Sequence, residues 1–229
     1  MNTNRLKNIS RILLFLCGVG LIAVLFVPMW RIELNAPQYP EGLMLMIYAN
    51  KLGGNVDIIN GLNHYIGMKT LHEKDFVEFT ILHGIIISLS IAFVLTALIG
   101  KRKIMNILFS LFISFGVIAM IDFWKWEYRY GHDLNPDAAI KIPGMAYQPP
   151  LIGFKQLLNF GAYSVPDIGG WIFIAVGAVL LFLVIMERKS YVKSLKINKS
   201  ANLLFLVIFT GLFNSCSTEP DMIKFGKDN

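Results

Sequence analysis

TILHGIIISLSIAFVLTALI, residues 80–99, carries no Lys, Arg, Asp or Glu over twenty consecutive positions. A helix rises about 1.5 Å per residue, so this stretch reaches about 30 Å, the thickness of a bilayer's hydrocarbon core. Residues 9–30, 104–123 and 168–186 are apolar runs of the same kind. Across the 229 residues 55% are apolar and 16% charged, with a mean hydropathy of +0.57, whereas a soluble domain carries about 25% charged residues. Inside a bilayer the backbone must satisfy its own polar groups, and unbroken runs point to helices rather than to the alternating short strands of a barrel. The sequence therefore predicts an all-α polytopic membrane protein with four transmembrane helices in a domain spanning residues 1–190. The net charge of +6 comes from scattered Lys and Arg with no basic stripe interleaved with aromatics, which argues against nucleic acid as a partner and leaves membrane lipid as the expected one.

The cations set an orientation. Arg5, Lys7 and Arg11 open the first run, Lys101 to Lys103 join the second to the third, and Arg188, Lys189, Lys193, Lys196 and Lys199 follow the fourth. By the positive-inside rule these segments are cytoplasmic. Residues 31–79, residues 124–167 and the tail after Cys216 hold 13 of the 15 acidic residues and are expected to be extracytoplasmic, which for a bacterial chain means an inner-membrane protein with a cytoplasmic N-terminus. Trp30, Trp124, Trp126 and Trp171 fall at the outer ends of the runs, as interfacial anchors do.

The two long connections are too apolar to stay disordered. The first holds Tyr39, Leu43, Met44, Leu45, Met46, Ile47 and Tyr48; the second holds Met145, Tyr147, Leu151, Ile152, Phe154, Leu157, Leu158, Phe160 and Tyr163. Prolines divide them into short pieces, with helical turns expected at residues 41–49, 57–76 and 152–160. The expectation is an ordered outer cap, residues 31–79 and 124–167.

A fifth apolar run, residues 201–213, is 13 residues long, short for a span and of the length of a signal-peptide core. Lysines precede it, and Leu212-Phe213-Asn214-Ser215-Cys216 ends it, so residues 191–229 read as a signal-like segment with a lipobox-like Cys216 as lipid acceptor; a short fifth helix ending at an unmodified Cys is the alternative. The string CSTEPDMIKFGKDN that follows resembles the mature N-terminus of the NosL-type copper lipoproteins, accessory factors in maturing nitrous oxide reductase. In that family a Glu-Pro segment and a Gly-Lys-Asp turn lead directly into a Cys-x-x-Cys-x-Met copper motif. This chain ends at Asn229, where that motif would begin. The resemblance implies a membrane protein fused to, or truncated within, a NosL-like domain, and it carries no copper ligands of the family onto this tail.

Within the first connection, His64, Met68 and His72 fall at i, i+4 and i+8, and on one continuous helix they would occupy about 80° of arc. Imidazole with thioether suits copper, and Met44, Met46 and Met145 are further soft donors on the same side. The alternative is a solvated helix with a packed Met, since Met commonly fills irregular cores. His83 in the second run and Asp122 near the outer end of the third are ionisable groups at membrane depth, expected to face inward and pair, either as a relay or as a structural hydrogen bond. His132 and Asp133 read as a solvated turn. Gly53-Gly54 and Gly169-Gly170 read as turns. Cys17, inside the first run, and Cys216 are too far apart in the topology to form a disulfide. No Cys-x-x-Cys, His-Glu-x-x-His, Walker-type loop or Gly-x-Ser-x-Gly elbow occurs, so no enzymatic motif is present. Four runs without buried charge clusters, discontinuous spans or repeat symmetry give little from which to build an alternating-access path. The expected function is a non-enzymatic accessory protein for copper handling in maturation of an exported reductase, nitrous oxide reductase by the resemblance, with that reductase or its assembly factors as partners. The competing reading is a scaffold or docking subunit that acts through its outer cap and binds no metal.

Overall fold

The computed structural model describes residues 4–140, 142, 144–157 and 159–214, with the backbone alone described at 191 and 193–214. Four helices are long and apolar enough to cross a membrane: α1 (Asn8–Ala23, extended by a 3₁₀ turn to Phe26), α3 (Val77–Ile99), α4 (Arg102–His132) and α5 (Ile168–Asn214), with a short α2 (Val56–Ile66) between the first two. Leu14 and Leu21 of α1, Ile86 and Phe93 of α3, Met105 and Phe112 of α4, and Leu180 and Leu183 of α5 form one buried cluster. Ile12, Leu16, Ile91, Leu98, Leu111, Ile118 and Phe182 point outward and are exposed, an apolar surface compatible with lipid contact.

One expectation about the helices changes. The run at residues 201–213 is not a separate helix but the last part of α5, which is continuous over 47 residues. No Gly or Pro occurs between Glu187 and Thr210, so nothing in the basic stretch breaks the hydrogen-bond ladder. Cys216 and the NosL-like tail lie outside the described residues.

The larger correction is that the protein is not all-α. The cap contains a five-stranded antiparallel sheet in the order β3-β2-β1-β5-β4, built from β1 (Trp30–Ala36), β2 (Tyr39–Ile47), β3 (Leu52–Gly54), β4 (Gly153–Leu157) and β5 (Phe160–Pro166). Of the three helical segments expected, only the one at residues 57–76 forms, as α2 and a 3₁₀ turn at Glu73–Asp75; residues 41–49 are mostly β2, and β4 occupies most of 152–160. The pattern Trp30-Arg31-Ile32-Glu33-Leu34-Asn35 alternates apolar and polar with the period of two that a half-buried strand requires. Ile32 pairs with Leu45 on one side and with Ser164 on the other. These positions belong to the inner face, where Ile32, Leu43 and Leu45 pack with Ile59 of α2, Met68, Leu71, Tyr147 and Tyr130 of α4 in a second buried cluster.

The sheet grows directly out of the bundle. Met29 N–H donates to Ile47 O at 2.8 Å, Asp167 N–H to Met29 O at 3.0 Å and Gly169 N–H to Pro28 O at 2.8 Å. Gly169 and Gly170 are therefore not a turn but the first turn of α5 pressed against the exit from α1. A Cβ on Gly170 would lie 2.4 Å from Met29 O. The tryptophans divide: Trp124 and Trp171 stay exposed, while Trp30 and Trp126 pack against the sheet-domain core.

At the opposite end a buried charge cluster, not anticipated from sequence, ties three helices. Glu187 of α5 is 1% exposed and accepts from Lys7 N–H at 3.0 Å, Ser10 Oγ at 2.7 Å and Arg102 Nε at 2.9 Å. Arg102 Nη2 adds a second contact at 2.9 Å. Arg11 donates to Ala97 O and Leu98 O, occupying carbonyls that the end of α3 leaves unpaired.

Candidate functional site

Beside the second core lies a cavity of about 360 Å³ lined by His64, Gly67, Met68, Lys69, Thr70, Asp133, Leu134, Asn135 and Pro136. It exists because α2 stops. Gly67 takes φ +79°, and both its N–H and that of Met68 bond Asn63 O, the backward closure by which a left-handed glycine ends a helix. The chain then doubles back along α2. The Asn60 side-chain amide holds both backbone groups of Leu71, donating to its O at 3.0 Å and accepting from its N at 2.6 Å. Asn63 Nδ2 donates to Lys69 O at 3.2 Å and also to the Tyr130 hydroxyl. The segment beyond α4 forms the other wall, with Asn135 N–H bonded to Gly67 O at 2.8 Å and Lys69 paired with Asp133.

This path breaks up the single helical face expected for His64, Met68 and His72. Only His64 lies on α2. His64 is exposed and Met68 is 8% exposed within the core cluster, yet both line the cavity. His72 is not among the lining residues, and its Nε2 is 3.1 Å from Thr70 Oγ1. The cavity therefore offers an imidazole and a thioether with the Asp133 carboxylate, donor types that suit copper in part. Among the described residues no group of three or more His, Cys, Asp or Glu side chains converges to hold a metal ion. Met44 and Met46 alternate with the buried Leu43 and Leu45 and so lie on the opposite face of the sheet, away from this cavity.

The remaining candidates fall elsewhere. His83 and Asp122 are half-buried, and no hydrogen bond or ion pair joins them; His83 Nδ1 is buried without a hydrogen-bond partner. The expected pair is thus not formed. His132 is exposed, with Nδ1 2.9 Å from Tyr128 O and its ring stacked on Tyr128 at 4.0 Å. Cys17 is a free, buried thiol in the helical core. Sequence reasoning missed Glu127. This residue of α4 is fully buried, and neither carboxylate oxygen has a hydrogen-bond partner. Its signal was a charge in register with Tyr130 and Gly131, the other buried positions at that end of α4.

The free face of the sheet is the other candidate surface. Phe154 is 65% exposed and Tyr163, its cross-strand partner, 41%. Ile152 beside them is 62% exposed. Comparison with known proteins finds no family model, no curated protein and no solved structure that matches this chain.

Proposed function

We propose that the protein is a non-enzymatic accessory subunit of a bacterial inner membrane, whose sheet domain stands outside the cytoplasm and engages an exported partner. The observation that carries this reading is the pair Phe154 and Tyr163, two large aromatic side chains exposed together on a sheet whose junction with the helices is closed by backbone hydrogen bonds of Pro28 and Met29 to Ile47, Asp167 and Gly169. Exposed aromatics on a rigid support are what a protein interface uses as anchors. The orientation rests on the Lys and Arg that flank the opposite ends of the helices. A photocrosslinking residue at position 154 should capture a discrete exported protein in cells, and the same residue at Ile118 should not. Equal capture from both positions would sink the docking reading.

Copper handling during maturation of an exported reductase, nitrous oxide reductase by the resemblance of the tail, is the second reading. His64 and Met68 lining one cavity favours it. Titration of the detergent-purified protein with Cu(I) against a competing chelator tests it directly. Stoichiometric binding that is lost in His64→Ala and Met68→Leu supports a copper site there; binding that is absent, or unchanged in both variants, removes it.

A further inference from the structure

Helix α4 is covered in two separate places. Its buried residues are Met105, Leu108 and Phe112 in the first half, then Glu127, Tyr130 and Gly131 in the sheet domain. Between them lies a groove of about 550 Å³ lined by Phe112, Ile113, Gly116, Val117, Met120, Ile121, Trp124 and, from the second connection, Leu151. The helical residues recur at the spacing of one face. Gly116 leaves the floor open, since a Cβ there would meet nothing within 4 Å.

We propose that this groove holds one acyl chain of a membrane phospholipid, a specific lipid site that rests on the reading of α4 as a transmembrane helix. From Phe112 to Trp124 the helix rises about 18 Å, close to the roughly 15 Å depth of one leaflet's hydrocarbon. Leu151 distinguishes the occupant. A transmembrane helix of a partner would have to continue outward through the position Leu151 fills, whereas a lipid chain ends at that height. Trp124 stands at the rim, its ring tilted against that of Tyr128 with centroids 5.7 Å apart, in the manner of an aromatic at the headgroup level.

Native mass spectrometry of the protein extracted in mild detergent tests the site. The wild type is expected to retain one phospholipid through detergent washing. Gly116→Phe, which fills the groove floor, is expected to lose it, and Gly116→Leu serves if the larger variant does not fold. Ile91→Phe, on an exposed face of α3, should retain the lipid. No retained lipid in the wild type, or equal retention in the Gly116 variants, overturns the proposal. So does efficient cross-linking of Gly116→Cys to another protein, which would give the groove to a helix. Release of the wild type by alkaline carbonate without detergent would instead overturn the membrane reading itself.

Discussion

Trp30 and Ser164, 134 positions apart in the chain, are joined by a hydrogen bond from indole Nε1 to Oγ at 2.8 Å. The two residues stand on β1 and β5, the strands that emerge from α1 and lead into α5, and their bond sits where the sheet meets the bundle. Ser164 is fully buried and donates onward to Leu151 O at 3.2 Å. Ser164→Ala would leave the half-buried indole N–H and a carbonyl without this partner. We expect a loss of about 1–2 kcal/mol, read as a lower Tm in detergent, with Ser164→Thr recovering part of it. An unchanged Tm in the alanine variant would show that the bond does not hold the two strands.

Glu187 and Glu127 are both buried carboxylates, but only the first is answered by donors. Breaking a buried ion pair leaves the partner's charge stranded, a loss of about 3–5 kcal/mol. Glu187→Ala should accordingly fall sharply in Tm and in membrane yield.

Glu127→Gln should behave in the opposite way. A buried carboxylate with no hydrogen-bond donor is costly in its ionised form, and the Lys155 charge offsets only part of that cost, so replacing it with a neutral amide of nearly the same shape should hold or raise the Tm. A fall comparable to that of Glu187→Ala would mean that Glu127 makes an essential contact in the working protein.

Met68 packs in the sheet-domain core, so Met68→Ala should cost about 2–5 kcal/mol by opening a cavity. Met68→Leu conserves volume and should cost less than about 1.5 kcal/mol. The leucine variant is therefore the informative one for copper, because it removes the sulfur and keeps the packing. Equal melting temperatures for the two variants would contradict the buried position of this side chain.

Gly67 is the residue that turns α2 back on itself. At φ +79° an L side chain is strained, and a Cβ would lie 2.8 Å from that of Ala138. Gly67→Ala should destabilise by about 1–3 kcal/mol and raise proteolytic cleavage in residues 67–72. No change in either measurement would show that the chain reversal does not depend on this glycine.

The sheet was written in the sequence at one place and hidden at others. Trp30 to Asn35 alternates cleanly, but it abuts the apolar run of α1, and a tryptophan at that point also reads as a membrane anchor. In β2 the run Leu43-Met44-Leu45-Met46-Ile47 is apolar at every position, so its period is uninformative, and β4 is only five residues long. The three candidate metal ligands do not share one face for a different reason. The spacing of His64, Met68 and His72 assumed a continuous helix, and Gly67 together with the side-chain clamps of Asn60 and Asn63 made a reversal instead. Those clamps act on Leu71 and Lys69 through space, and no local pattern announces them.

The sequence by itself determined that four helices can cross a bilayer, because length and apolarity are local properties and a helix satisfies its own backbone. It also determined that the long connections are ordered, through their apolar content. Only the tertiary structure decided that the cap is a sheet, since β1 finds β5 from the far end of the chain, and strand pairing exists only when both partners are present. The tertiary structure likewise brought Glu187 to Arg102 and Ser10, and left Glu127 without a hydrogen-bond donor. Which charges meet inside a protein depends on how its elements pack, and the spacing of residues along one helix carries no record of that.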